Sequence, residues 1–209
     1  QLPWGTLTGV RPTKIALEQI EQGKTIDDIQ TYFLDTFHCT KQKVDICTKV
    51  AENENRILQG ISYEDQYSLY IGIPFCPSTC LYCSFTSYPI ASYRNRVEEY
   101  LKAVEKEMDY VSEVCRNKRL ISVYFGGGTP TSIEADQLKR LIEKVKQSFD
   151  FTYVREFTVE AGRPDSITRE KLKVLLECGV TRISINPQTM NQETLRLIGR
   201  AHTVEQTKE

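Results

Sequence analysis

The sequence predicts an α/β fold: a parallel sheet built from about four strand-to-helix units in series at residues 63–209, preceded by a small helical segment at residues 1–62. Three observations predict it. Short apolar or alternating runs separate helical stripes throughout the second part of the chain and are missing from the first. Each such run ends in a turn-forming or cysteine-rich stretch, as strands do. A chain of 209 residues, 40% apolar and 26% charged, is also long enough for one large core with a helical appendage.

The opening, Leu2 to Pro12, carries Pro3, Gly5, Gly9 and Pro12 around Trp4 and reads as a loop that packs through the indole. Ile15, Ala16 and Ile20 fit a helix stopped by Gly23. Thr25 then caps a helix over Ile26 to Phe37, in which Ile29, Phe33 and Phe37 recur every four residues and Asp27 and Asp28 favour the positive first turn. A third helix is predicted from Lys41 to Leu58.

From Gln66 the period changes to two: Tyr67, Leu69, Ile71 and Ile73 alternate with Ser68, Tyr70, Gly72 and Pro74. Val97, Leu101, Val104, Met108, Val111 and Cys115 form one helical stripe. Ile121 to Phe125 reads as a buried strand running into Gly126-Gly127-Gly128-Thr129-Pro130, and Ser132 is the expected cap of a helix with Leu138, Leu141, Ile142, Val145 and Phe149 inward. Val154 to Ala161 is the next strand. Thr168 caps a helix whose expected inward stripe is Leu172, Leu175 and Leu176, ending at Gly179. Val180 to Ile185 is the last strand, and the spacing of Thr189 and Gln192 predicts a capping box for a helix with Leu195 and Ile198. In parallel sheets function collects where strands end at their carboxyl side. Cys76 to Cys83, Gly126 to Thr129, Glu160 to Gly162 and Asn186 to Gln188 all fall there.

Composition narrows the function classes. A formal net charge of −1 leaves no electrostatic footprint for nucleic acid, and no run reaches the roughly 18–20 apolar residues of a membrane span. Seven cysteines, an odd number, behind a start unlike a signal peptide argue against a disulfide framework and for a reducing, cytoplasmic setting. Gln1 at one end and the polar run Ala201 to Glu209 at the other read as the ends of a fragment.

The most specific motif is Cys76-x-x-x-Cys80-x-x-Cys83 on one loop, stiffened by Pro74 and Pro77. Three thiolates suit iron–sulfur ligation and leave one corner of a four-site cluster open to a substrate or cofactor. A structural zinc site would need a fourth ligand, and neither His38 nor His202 stands at finger-like spacing. Cys39, Cys47, Cys115 and Cys178 fall on apolar helix faces or helix ends and read as small hydrophobes. The glycine run lets backbone groups approach a ligand closely, yet it has neither the P-loop Lys-Ser/Thr nor the order of a dinucleotide fingerprint. Glu160 ends its strand as a possible acceptor for a ribose or an ammonium, or as a partner of Arg163. Gln188, after Asn186-Pro187, also fits a plain turn, and Arg200 also fits a helix-dipole partner.

Together these residues resemble the radical S-adenosylmethionine (SAM) enzymes. Tyr-x-x-Ile-Pro-Phe-Cys at 70–76, the aromatic Tyr82, GGGTP at 126–130 and the strand ending Val-Glu are similar to the oxygen-independent coproporphyrinogen III oxidase branch. Leu-Thr-Gly-Val-Arg-Pro-Thr-Lys and Glu-Ala-Gly-Arg-Pro-Asp resemble its HemZ-type coproporphyrinogen dehydrogenases. The resemblance implies a partial (β/α) radical SAM barrel, because a full core carries more units than are readable here, and a fragment whose own activity it leaves open. It implies a 4Fe-4S cluster on Cys76, Cys80 and Cys83, with SAM on the open iron. Tyr82 would then shield the adenine side, Gly127, Gly128, Thr129 and Glu160 would hold SAM, Gln188 would contact its ribose, and Arg200 its carboxylate. Tyr70 would act near cluster and substrate. The implied reaction is one-electron cleavage of SAM to a 5′-deoxyadenosyl radical, followed by oxidative decarboxylation of coproporphyrinogen III propionates to vinyl groups in anaerobic haem biosynthesis. A donor such as flavodoxin or ferredoxin is implied, Arg163 or Arg94 could meet substrate carboxylates, and a haem-binding chaperone on the same scaffold is the alternative. Two positions depart from the family pattern: Gly72 stands where histidine is common, and Phe85 where a further cysteine is.

Overall fold

The structure, a computed structural model, describes residues 2–9 and 11–208; Val10, inside the opening loop, lies outside the described residues, as do Gln1 and Glu209. The chain divides into two compact units, Gln1–Ser62 and Tyr63–Glu209.

The first unit holds α1 (Pro12–Glu21), α2 (Ile26–Phe37) and α3 (Lys41–Leu58). Thr25 caps α2 reciprocally: its hydroxyl accepts from the Asp28 amide at 3.2 Å, while the Asp28 carboxylate accepts from the Thr25 amide at 3.3 Å. Such a cap contributes about 1 kcal/mol. The apolar stripes of the three helices close on Ala16, Ile29, Phe33, Val44, Cys47 and Ala51, with Trp4 packed against them. Burial pushes the Cys47 thiol up to about 11, which suits a cysteine used as a hydrophobe.

The second unit alternates strands and helices: β1 (Gln66–Ile73), β2 (Phe75–Cys76), β3 (Tyr88–Pro89), α4 (Ile90–Val114), β4 (Arg119–Gly127), α5 (Ala135–Ser148), β5 (Glu156–Glu160), α6 (Arg169–Glu177), β6 (Arg182–Ser184), α7 (Gln192–Leu197) and α8 (Val204–Lys208). Strands β1, β4, β5 and β6 form one four-stranded sheet in that order, every pair parallel, and β2 and β3 pair separately over two residues. Because each crossover adds the next strand at the same edge, the helices gather on one face and the sheet is an arc of a (β/α) barrel.

The two faces differ sharply. Ile71, Ile73, Val123, Phe125, Phe157 and Val159 pack in one core with Val97, Leu101 and Met108 of α4 and Leu138, Leu141, Ile142 and Val145 of α5. Full burial of side chains of this size contributes about 1.5–3 kcal/mol each. Arg140 on α5 reaches Glu98 at 2.9 Å and Glu105 at 2.8 Å on α4, orienting the pair of helices more than it stabilises them. The opposite face is polar. Ser122 donates to Ser68 at 2.7 Å, Tyr70 stacks on Tyr124 with centroids 5.8 Å apart, and Arg182 pairs with Glu156 at 3.2 Å.

Several expected details differ. Ser132 does not cap α5; Pro130–Ser132 turns as a short 3₁₀ helix, and Glu134 is the cap, its own amide donating to the Gln137 side chain at 3.1 Å. On α6 only Leu175 of the expected stripe is buried; Leu172 and Leu176 are exposed, and Lys171 is buried in their stead. Its ammonium donates to the carbonyls of Thr131 at 2.7 Å and Ser166 at 3.2 Å, so a lysine stem fills the space given to leucine. Asn191, not Thr189, caps α7, because its side-chain Oδ1 accepts from the Thr194 amide at 2.9 Å. Strands β5 and β6 are shorter than their apolar runs, and α8 follows Arg200. No described helix is long and apolar enough to cross a membrane.

Candidate functional site

At the carboxyl ends of the sheet strands lies a cavity of about 250 Å³. Cys76, Cys80, Cys83, Tyr70, Tyr82, Gly127, Gly128, Thr129, Glu160, Gln188 and Arg200 all line it, so five separate stretches of sequence meet in one place. Ser78, Phe85, Gly162, Arg163 and Asn186 complete much of the wall.

The cysteine loop is fixed from two sides. From the β4 end, the amides of Gly128 and Thr129 each donate at 2.8 Å, to the carbonyls of Ile73 and Phe75. That approach requires glycine: a Cβ on Gly128 would lie 2.9 Å from the Cys76 sulfur, the Phe75 carbonyl oxygen and the Pro74 carbonyl carbon. Gly127 adopts φ +106°, which side chains rarely tolerate. From the far end, the Leu81 amide donates to the Ile198 carbonyl at 3.0 Å and the Ser78 hydroxyl to the Gly199 carbonyl at 3.1 Å.

All three loop cysteines are free thiols, Cys76 buried and Cys80 and Cys83 half-buried. Burial pushes the Cys76 thiol up, against the opposing pull of a Thr129 hydrogen bond and the Arg163 charge. Thr129 Oγ1 lies 3.4 Å from Cys76 Sγ, and the Arg163 guanidinium donates to Cys80 Sγ at 3.4 Å. Among the described residues no three His, Cys, Asp or Glu side chains converge as ligands of a single ion. The donor set fits a cluster instead: three free thiols on one loop can each take a separate iron, polar groups already address two of the sulfurs, and a side-chain-free backbone wall stands opposite.

Across the cavity, Glu160 accepts from the Tyr124 hydroxyl at 2.5 Å. Burial and that carboxylate push the Tyr124 phenol up to about 12, so it stays a donor. Burial, with the Glu160 charge added, raises Tyr70 as well. Gln188 sits at φ +67°, the left-handed region, a strain of the sort that persists at ligand sites. Arg200 is buried, donating to the Gly162 carbonyl at 3.1 Å and, at a longer 3.4 Å, to the Tyr82 hydroxyl.

Arg163 is not available to a substrate carboxylate. It is 3% exposed, and its donors go to Asp165, Ser78 and Cys80. Arg94 is exposed on α4 and does not line the cavity. Sequence reasoning missed Ser78 and Tyr124. Nothing local marks Ser78, whereas the alternation of β4 does put Tyr124 on the polar face with Tyr70.

The chain is similar to several known proteins. It is 40% identical to the oxygen-independent coproporphyrinogen-III oxidase-like protein HemZ of Bacillus subtilis over 210 residues, covering 99% of this chain and 42% of that protein. It is 44% identical to the heme chaperone HemW of Bacillus subtilis over 139 residues, covering 65% of this chain and 35% of HemW. Among solved structures it resembles the coproporphyrinogen III oxidase HemN of Escherichia coli, a radical SAM enzyme, with a TM-score of 0.62 at 26% identity over 73% of this chain and 35% of that one. The chain thus spans less than half the length of these relatives. The radical SAM superfamily model matches residues 70–209, the segment that carries every cavity residue described above, and the chain belongs to that superfamily.

Proposed function

We propose that the protein is a radical SAM oxidoreductase that decarboxylates the propionates of coproporphyrinogen III to vinyl groups. The observation that carries this reading is the meeting of the cysteine loop, the glycine run, Glu160, Gln188 and Arg200 around one cavity in a chain so similar to HemZ. Cys76, Cys80 and Cys83 would hold a 4Fe-4S cluster. The amides and the hydroxyl of Gly127, Gly128 and Thr129, with Glu160, Gln188 and Arg200, would hold SAM, and Tyr82 would cover its adenine. When bound, the cluster and SAM together supply one-electron chemistry able to remove a hydrogen atom from an unactivated carbon. The residues of this chain bind, orient and shield. Arg200 offers a buried positive charge to a carboxylate, Glu160 a charge held in one orientation by Tyr124, and Tyr70 an aromatic ring lining the same cavity. Each reacting propionate would lose a hydrogen atom to the SAM-derived radical, release carbon dioxide and pass one electron to an acceptor, the first reduction being supplied by a flavodoxin or ferredoxin.

The test is product analysis under anaerobic conditions with SAM, a reductant, an electron acceptor and coproporphyrinogen III. The expected products are carbon dioxide and porphyrinogens with vinyl groups in place of propionates. The likeness to HemW favours a second reading, a haem chaperone; tight haem binding with no decarboxylation is its signature.

Tyr124→Phe isolates the Glu160 contact. The phenol supplies a hydrogen bond to a charged group, and its loss is expected to weaken SAM binding roughly tenfold while cluster loading stays intact. Equilibrium binding of SAM to the reconstituted protein checks this; unchanged affinity removes Tyr124 from the SAM site.

A further inference from the structure

The Arg163 side chain has five N–H groups and five acceptors. Nε and Nη2 meet the two Asp165 oxygens at 3.1 Å each, and Nη2 also meets Ser78 Oγ at 3.1 Å. Nη1 meets the Ser78 carbonyl at 3.2 Å and Cys80 Sγ at 3.4 Å. A guanidinium that is 3% exposed has lost nearly all its water, and such burial persists only with full pairing. Asp165 alone would satisfy the charge. The three bonds to residues 78 and 80 are therefore an orientation, one that aims the cation at the cysteine loop and at one sulfur in particular.

A thiol is a poor acceptor and a thiolate a good one, so the N–H to sulfur bond gains most when Cys80 is ionised as an iron ligand. We propose that Arg163, with Asp165 as its counter-charge, is a positioning residue that sets the reduction potential of the cluster through the Cys80 sulfur. The proposal rests on the cluster assignment to Cys76, Cys80 and Cys83. The cluster gains one electron from the reductant in each reduction, so its charge becomes more negative by one. A neighbouring cation stabilises that reduced state and raises the potential; a neighbouring anion lowers it. The two partners therefore act with opposite signs.

The experiment is an anaerobic, EPR-monitored dithionite titration of the reconstituted protein and three variants. Arg163→Met is expected to disfavour reduction at least tenfold, a midpoint lower by about 59 mV for one electron. Asp165→Asn keeps the shape of the pair, leaves the cation uncompensated, and is expected to raise the midpoint. Arg163→Lys keeps the charge and is expected to stay nearer to the parent than Arg163→Met does. A purely structural clamp moves the midpoints of Arg163→Met and Asp165→Asn in the same direction or not at all, and either result overturns the proposal. If Arg163→Met fails to take up a cluster, the sign of the Asp165→Asn shift decides. A parent protein that binds no iron–sulfur cluster contradicts the cofactor assignment itself, whereas a full cluster with unmoved midpoints contradicts only the role of Arg163.

Discussion

Gly128→Ala is expected to lose most of the cluster and to weaken SAM binding at least tenfold. A Cβ at this position would stand 2.9 Å from the Cys76 sulfur and from backbone atoms of Phe75 and Pro74. Two of those three atoms are main chain, so no rotamer change relieves the contact. Relief requires the cysteine loop to move away from β4, breaking the 2.8 Å bonds from Gly128 to Ile73 and from Thr129 to Phe75. Overpacking of this kind costs about 1–3 kcal/mol, and here the strain falls on the loop that must present three thiols. Iron content, SAM affinity and thermal midpoint together check it. Gly72→Ala is the matched control: its Cβ meets only a Tyr70 ring carbon at 3.7 Å, an ordinary contact, so folding and cluster loading are expected to stay near parental values. The contrast also bears on the departure at Gly72. Nothing in the backbone or its surroundings demands glycine there, so the absence of histidine at this position is not a steric need.

Much of this architecture was legible because periodicity and burial agree. The alternation of Tyr67 to Ile73 placed one set of side chains in the core and left Ser68, Tyr70 and Gly72 on the polar face. The stripe from Val97 to Met108 is buried as a helix packed on the sheet. What escaped was settled by partners distant in sequence. Arg163 looked like a substrate arginine because its acceptors on the cysteine loop are 83 and 85 residues away. Lys171 lies outside the stripe expected for α6, because the two carbonyls that take its ammonium are on other segments. Caps were misread where two candidates stood close together. Ser132 and Thr189 have the right chemistry, but Pro130 starts a 3₁₀ turn that consumes Ser132, and Asn191 stands two residues closer to α7, directly before its first residue. The cysteine loop, the glycine run, Glu160 and Gln188 were legible as motifs at strand ends, and Arg200 only through the resemblance; the convergence of the strand-end motifs required the sheet order β1-β4-β5-β6, which follows from parallel crossovers.

Cys76→Ala is expected to have the largest effect of all. Cys76 is the most buried of the three loop thiols, is set in the short β2 strand, and lies against both Thr129 and the glycine wall. Cys80 and Cys83 sit on the half-exposed part of the loop, which the 3.0 Å bond from Leu81 to Ile198 fastens to the far end. Removing Cys76 therefore removes an anchor point as well as a ligand, and no other described cysteine lines the cavity to replace it. The decisive measurement is anaerobic reconstitution of parent and Cys76→Ala, followed by iron content, EPR under dithionite and release of methionine from SAM. The parent is expected to hold a reducible 4Fe-4S cluster and to cleave SAM, and the variant to do neither. A Cys76→Ala protein with a full cluster signal and undiminished SAM cleavage contradicts the assignment of this site.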